Sequence, residues 1–119
     1  MKQFIRTMKA LSDPNRVRVL KLLERGELCV CEIQNLLGLA QSTVSKHMKL
    51  LEDAGLVDRN RQGTWIIYSL AEDSDSPYAL PMLDQLRHWL DDDAELQKMI
   101  TALPDAAVLR VTGGRRGCD

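Results

Sequence analysis

Along the first half of the chain, apolar residues recur at helical intervals. Phe4, Ile5, Met8 and Leu11 predict an amphipathic helix over residues 2–11. Asp13-Pro14 interrupts the pattern, with Asp suited to cap and Pro to open the next helix. In that helix Val17, Val19, Leu20, Leu22 and Leu23 leave more than one side apolar, and Gly26 is placed as its stop. A short helix over about residues 31–37 ends at Gly38. Another runs from about 41 to 54, with Val44, Met48 and Leu51 at i, i+4 and i+7. Two short helices joined by Gly38-Leu39-Ala40 match a helix-turn-helix.

The period then changes. Leu56 and Val57, a polar run containing Arg61-Gln62-Gly63-Thr64, and the β-prone residues 65–70 predict a hairpin. A hairpin directly after a helix-turn-helix is the wing of a winged-helix domain, so the expected fold is mainly α with a small β-hairpin. Pro77 then opens a final helix, on which Leu80, Leu83, Leu86 and Leu90 continue with Leu96, Met99, Ile100 and Leu103. That is more apolar surface than one small domain covers, and pairing with a second copy is its natural sink. Residues 1–103 are thus expected to form one DNA-binding and dimerisation domain, and residues 104–119 a flexible tail. No internal repeat is visible.

Composition adds little until charge is mapped. With 45% hydrophobic and 28% charged residues the 119-residue chain is ordinarily globular. No apolar run approaches bilayer length, and Arg6 and Lys9 break up the first segment, so a cytoplasmic protein is expected. The net charge of −1 conceals an asymmetry. Residues 1–25 carry seven basic and two acidic side chains, whereas residues 71–105 carry two basic and nine acidic. Two opposed faces of opposite sign are the expected result, one of them suited to a charged partner.

On the second helix of the pair, Val44, Met48 and Leu51 turn inward. Ser42, Ser45, Lys46 and Lys49 share the solvent side, with Gln41 at its edge. Short polar side chains at a helix start suit base edges in a major groove, and lysines suit phosphates. Arg59, Arg61 and Gln62 of the wing are candidates for the DNA backbone or minor groove. An ordinary solvated face explains this helix taken alone; the turn, the hairpin and the basic first third together favour DNA. His47 sits at the border of the buried side and reads equally well as a helix-edge histidine. The few scattered aromatic residues make no single-strand stacking platform, so duplex DNA is expected.

Residues 27–33 read ELCVCEI, with Cys29 and Cys31 one residue apart in a chain of three cysteines. A disulfide closing so small a ring is strained, which leaves a thiophilic ligand, a redox switch or two small hydrophobes. No paired carboxylates in a cleft, phosphate-cradling glycine loop or nucleophile–base set suggests an enzyme.

Together LSDPNRVRVLKLL, ELCVCEI, QSTVSKHMKLLEDAGLV and RQGTWIIYSL resemble the ArsR/SmtB family of metal- and metalloid-responsive repressors, over about residues 4–90. The resemblance implies a homodimeric winged-helix repressor, paired through its first and last helices, that leaves operator DNA when a toxic ion binds. ELCVCEI is most similar to the inducer motif of arsenic-responsive members. It implies As(III) or Sb(III) as inducer, Cys29 and Cys31 as ligands, and no permanent cofactor. Three departures stand out. Gln34 occupies the position where such members often carry a third cysteine, residues 1–28 lack the thiolates of cadmium- and lead-responsive members, and Ala40 replaces a common Ser cap.

Residues i and i+2 point apart on a helix but share a side when extended. Gripping one ion with Cys29 and Cys31 therefore requires the start of the first helix of the pair to unwind, displacing the recognition helix. Arsenite characteristically takes three sulfurs; Cys118, a cellular thiol or water are candidates for the third position. A rival set, Asp84, His88, Asp91 and Glu95, falls at i, i+4, i+7 and i+11 of the predicted last helix. It lacks the Asp-x-His pair and second His of zinc-sensing relatives, and reads more economically as an acidic solvated face. Response to zinc or cadmium, or to thiol oxidation, is the alternative mode of control, and a winged helix that binds only protein is a third.

Overall fold

The computed structural model describes residues 1–103; the predicted tail, with Cys118, lies outside the described residues. The elements run α1 (Lys2–Ala10), α2 (Pro14–Leu23), β1 (Leu28–Cys29), α3 (Val30–Leu37), α4 (Gln41–Asp53), β2 (Val57–Gln62), β3 (Trp65–Leu70), α5 (Ala79–Leu86) and α6 (Ala94–Thr101). The winged helix-turn-helix expected from the sequence is present: α3 and α4 form the pair, and β2 and β3 form the wing.

Local chemistry accounts for these boundaries. The Asp13 carboxylate caps α2, accepting from the Asn15 N–H at 2.8 Å and the Arg16 N–H at 3.2 Å, with Pro14 in the first turn. Burial works to raise the Asp13 carboxyl pKa. Hydrogen bonds from Arg16 and Asn15 and the charges of His47 and Arg16 outweigh it, and the net shift is downward. Gly55, at φ +76°, follows α4, where a Cβ would sit 2.3 Å from the Ser74 hydroxyl oxygen. The positive φ favours glycine there, and a Cβ would also have to displace the Ser74 hydroxyl. Gly63, also at positive φ, opens the two-residue turn between Gln62 and Trp65.

Leu20, Leu22, Ile33, Val44, Met48, Leu51 and Leu56 are fully buried, so α2 and the helix pair share one core. The inward assignment of Val44, Met48 and Leu51 agrees with the sequence pattern. The sheet has order β1-β3-β2 with antiparallel pairing throughout. Strand β1, two residues long, is too short for alternation to reveal it in the sequence. It pairs Leu28 with Tyr68 and Cys29 with Ile67.

The predicted continuous final helix is corrected. α5 stops at Leu86, Leu90 adopts φ +68°, and Asp93 caps a separate α6 by accepting from the Leu96 N–H at 2.9 Å. Leucines at helical intervals are compatible with one long helix or two short ones. The Asp91-Asp92-Asp93 run supplies a cap instead of a continuation. Lys21 of α2 secures the break. Its ammonium donates to the Leu86 carbonyl at the end of α5, which also accepts from the Trp89 N–H at 3.1 Å, and pairs with Glu24 and Asp91 at 3.0 Å each. The Lys21 side chain is 2% exposed. α6 folds back towards α2 and buries Leu96.

The expectation of opposed charged faces is corrected by the same contacts. Lys21 meets Asp91, and Arg18 meets Asp93 at 3.4 Å, so the early basic and late acidic segments neutralise each other in part. No helix among the described residues is long and apolar enough to cross a membrane.

Candidate nucleic-acid interface and thiol site

Gln41, Ser42, Ser45, Lys46 and Lys49 are all exposed on α4. The helix begins at Ala40, which offers no side-chain cap. Its first-turn N–H groups are therefore not claimed by a capping side chain, as suits a helix end that receives a phosphate. Thr43, which is not among the candidates named from the sequence, is also exposed beside Ser42. The polar run 41–43 ahead of Val44 was the available signal. Lys49 is engaged along its own helix, 3.2 Å from Asp53 and 4.0 Å from Glu52. Lys46 forms no ion pair among the described residues.

His47 is half-buried and held from behind. Arg16 donates to its Nδ1 at 3.1 Å, while also donating to the carbonyls of Ala10 at 2.8 Å and Lys9 at 3.0 Å. This is the helix-edge histidine of the blander reading.

The three wing candidates do not share a face. Pairing of Arg59 with Tyr68 and Arg61 with Ile66 puts the two arginines on one side of β2, and alternation turns Gln62 to the other. Burial pushes the Tyr68 hydroxyl pKa up, opposed by the adjacent Arg59 guanidinium and assisted by Glu52. Arg59 is thus anchored at the base of the wing, with Arg61 nearer its tip.

The two cysteines straddle a change of secondary structure. Cys29 has extended backbone, φ −83° and ψ 163°, and is the N-cap of α3; Cys31 lies within the first helical turn. Cys29 is 1% exposed and Cys31 half-buried, both as free thiols. A capping box closes this start. The Cys29 N–H donates to Glu32 Oε1 at 2.8 Å, and the Cys29 side chain accepts from the Glu32 N–H. The spacing Cys-x-x-Glu was legible in the sequence, because Cys stands where Ser or Thr is usual. Through β1, Cys29 is also one rung from Ile67 in the wing, and Asn60 lies opposite Ile67 on the far strand.

As a donor set, two adjacent thiols suit a soft, thiophilic ion better than a hard one. Among the described residues, no group of three or more His, Cys, Asp and Glu side chains gathers to hold a metal ion. The rival zinc set is not assembled on one helix. Asp84 belongs to α5 and Glu95 to α6, with His88 and Asp91 in the segment between.

Known proteins are similar to this chain in sequence and fold. The family described as bacterial regulatory protein, arsR family, matches residues 13–59. An uncharacterized HTH-type transcriptional regulator of Methanocaldococcus jannaschii is 44% identical over 55% of this chain and 74% of its own. An arsenical resistance operon repressor of Bacillus subtilis is 34% identical over 61% of this chain and 70% of its own. Among solved structures, a homodimeric winged helix-turn-helix DNA-binding domain from Mycobacterium bovis, described as a possible ArsR-family regulator, superposes with a TM-score of 0.64. It is 28% identical, covering 78% of this chain and 82% of that one.

Proposed function

The chain belongs to the arsR family of bacterial regulatory proteins, and on that premise we propose that it is an arsenite- or antimonite-responsive repressor. It holds duplex operator DNA as a homodimer and releases it when As(III) or Sb(III) binds Cys29 and Cys31. The family is one of DNA-binding transcriptional regulators, not of enzymes.

The observation that carries this reading is the position of the thiols. Cys29 is the extended cap and Cys31 the second residue of α3, the helix that leads directly into α4. Ligation of one ion by both sulfurs draws the first turn of α3 out of helical geometry. α4, which presents Gln41, Ser42, Ser45, Lys46 and Lys49, shares buried Ile33, Val44 and Met48 with α3 and moves with it. Arsenous acid exchanges one hydroxyl for each thiolate. Each hydroxyl leaves as water with the thiol proton, and arsenic stays trivalent. Cys118, a cellular thiol or a retained hydroxyl completes the coordination.

For the dimer, α1 offers exposed Phe4 and Ile5, and Phe4 stacks edge-on against Tyr78 at the start of α5, with ring centroids 5.3 Å apart. Both last helices also pack within their own chain, α5 through Ala79, Leu83 and Leu86 and α6 through Leu96.

Fluorescence anisotropy of labelled duplex from the gene's own upstream region tests the reading, with reduced protein and added arsenite, zinc or cadmium. Arsenite release from wild type but not from Cys29→Ser/Cys31→Ser is expected. Tight binding that ignores arsenite, or reversible loss with peroxide alone, refutes it.

A further inference from the structure

We propose that Glu32 is a positioning residue that keeps Cys29 closed and sets the inducer concentration at which the thiol site opens. The inference deepens the thiol-site reading above and rests on it for the identity of the inducer.

The argument starts from one sulfur with two uses. In the capping box the Cys29 side chain accepts from the Glu32 N–H, and the Glu32 carboxylate accepts from the Cys29 N–H at 2.8 Å. A sulfur bonded to an external ion and swung towards Cys31 abandons that N–H. The reciprocal bond then loses its geometry, because both bonds depend on the same extended-to-helical transition at Cys29. Ligand and cap therefore compete for one atom.

Burial sharpens the competition. Cys29 is 1% and Glu32 3% exposed, so no thiophile reaches Cys29 until the cap has opened. The free energy of the capping box is accordingly part of the free energy of inducer binding. Glu32 also lines a cavity of about 460 Å³ between α3 and α6, together with Leu36, Glu95 and Met99. The released carboxylate thus has solvent-connected space to enter.

Thiol labelling by iodoacetamide tests this without any inducer. The reduced full chain is labelled and the cysteines are resolved by peptide mass spectrometry, with half-buried Cys31 as internal reference. Glu32→Ala should raise the Cys29-to-Cys31 labelling ratio about fivefold, the usual worth of a lost cap. Glu32→Gln retains an acceptor for the Cys29 N–H and should stay near wild type. In the DNA-release assay, half-release by arsenite should shift to lower concentration by a similar factor in Glu32→Ala and not in Glu32→Gln.

An unchanged ratio in Glu32→Ala overturns the proposal, as does an equal rise in both variants, which signals general loosening. Should Glu32→Ala lose its helical circular dichroism, Glu32→Asp takes its place; its shorter side chain reaches the N–H less well and should raise the ratio. A wild-type complex indifferent to arsenite refutes the arsenic assignment alone, and the labelling ratios still judge the latch.

Discussion

Arg16 and His47, 31 positions apart, meet at 3.1 Å, and the same guanidinium holds the carbonyls of Ala10 and Lys9. One side chain of α2 thereby ties the end of α1 to the outer edge of α4. Arginine has no acceptor, so His47 must accept at Nδ1 and carry its proton on Nε2 when neutral. Arg16→Ala removes all three bonds and should destabilise the fold by about 1–3 kcal/mol. His47→Ala should be milder. A double-mutant cycle by urea unfolding reads their coupling, and a coupling energy near zero rejects the link between α2 and α4.

Serine is among the preferred N-cap residues, and Cys29 occupies an N-cap. Cys29→Ser should therefore fold and bind operator DNA as tightly as wild type while losing its arsenite response. Cys31→Ser, inside the helix, should lose the response equally. If Cys29→Ser fails to bind DNA in the absence of arsenite, the thiol is structural in a way its capping position does not explain.

Lys46 and Lys49 look alike in sequence but differ in their neighbours. Lys49 lies 3.2 Å from Asp53, whereas Lys46 forms no ion pair among the described residues. Lys46→Ala should weaken DNA binding at every sequence and lower the slope of log affinity against log salt by about 0.9, one phosphate's worth. Lys49→Ala should change that slope by less. Equal slopes for the two variants contradict this division.

Acid should weaken the fold through Asp13. Its folded pKa lies below its ordinary value of 3.8, so its contribution is present in full above the carboxylate range. That contribution is lost as the pH falls through the folded value. Urea midpoints measured from pH 7 down to pH 3 should fall more steeply for wild type than for Asp13→Ala. The variant should lose about 1 kcal/mol at neutral pH with its cap.

Lys21→Met keeps the length of the side chain but removes its charge. The Leu86 carbonyl then keeps only the Trp89 N–H of its two donors, and Glu24 and Asp91 lose their partner. A loss of about 1–3 kcal/mol is expected, with faster proteolysis of the segment between α5 and α6. Unchanged proteolysis there shows that Asp93 alone holds the break.

Much of this architecture is legible in the sequence because its signals are local. Gly38 and Gly55 end helices, Pro14 opens one, and Val44, Met48 and Leu51 mark a buried stripe. The exposed face of α4 follows from that stripe by rotation. The break before α6 was hidden, since leucine spacing survives it and the securing contact comes from Lys21, 65 residues from Leu86. The charge asymmetry misled for the same reason: linear charge counts do not record that Arg18 and Lys21 end beside Asp93 and Asp91. The separation of Gln62 from Arg59 and Arg61 was recoverable from strand alternation once the hairpin register was fixed.

The pairing of Cys29 with Ile67 joins the thiol segment to the wing through main-chain contacts. The hydrogen bonds of such pairing run between main-chain groups and not through side chains. Under the proposed function, an ion would be held by side chains here, whereas the link to the wing runs through the backbone of the same segment. Within such a division, an exchange at position 31 leaves the main-chain connection untouched, whereas one at position 29 must also preserve the cap with Glu32.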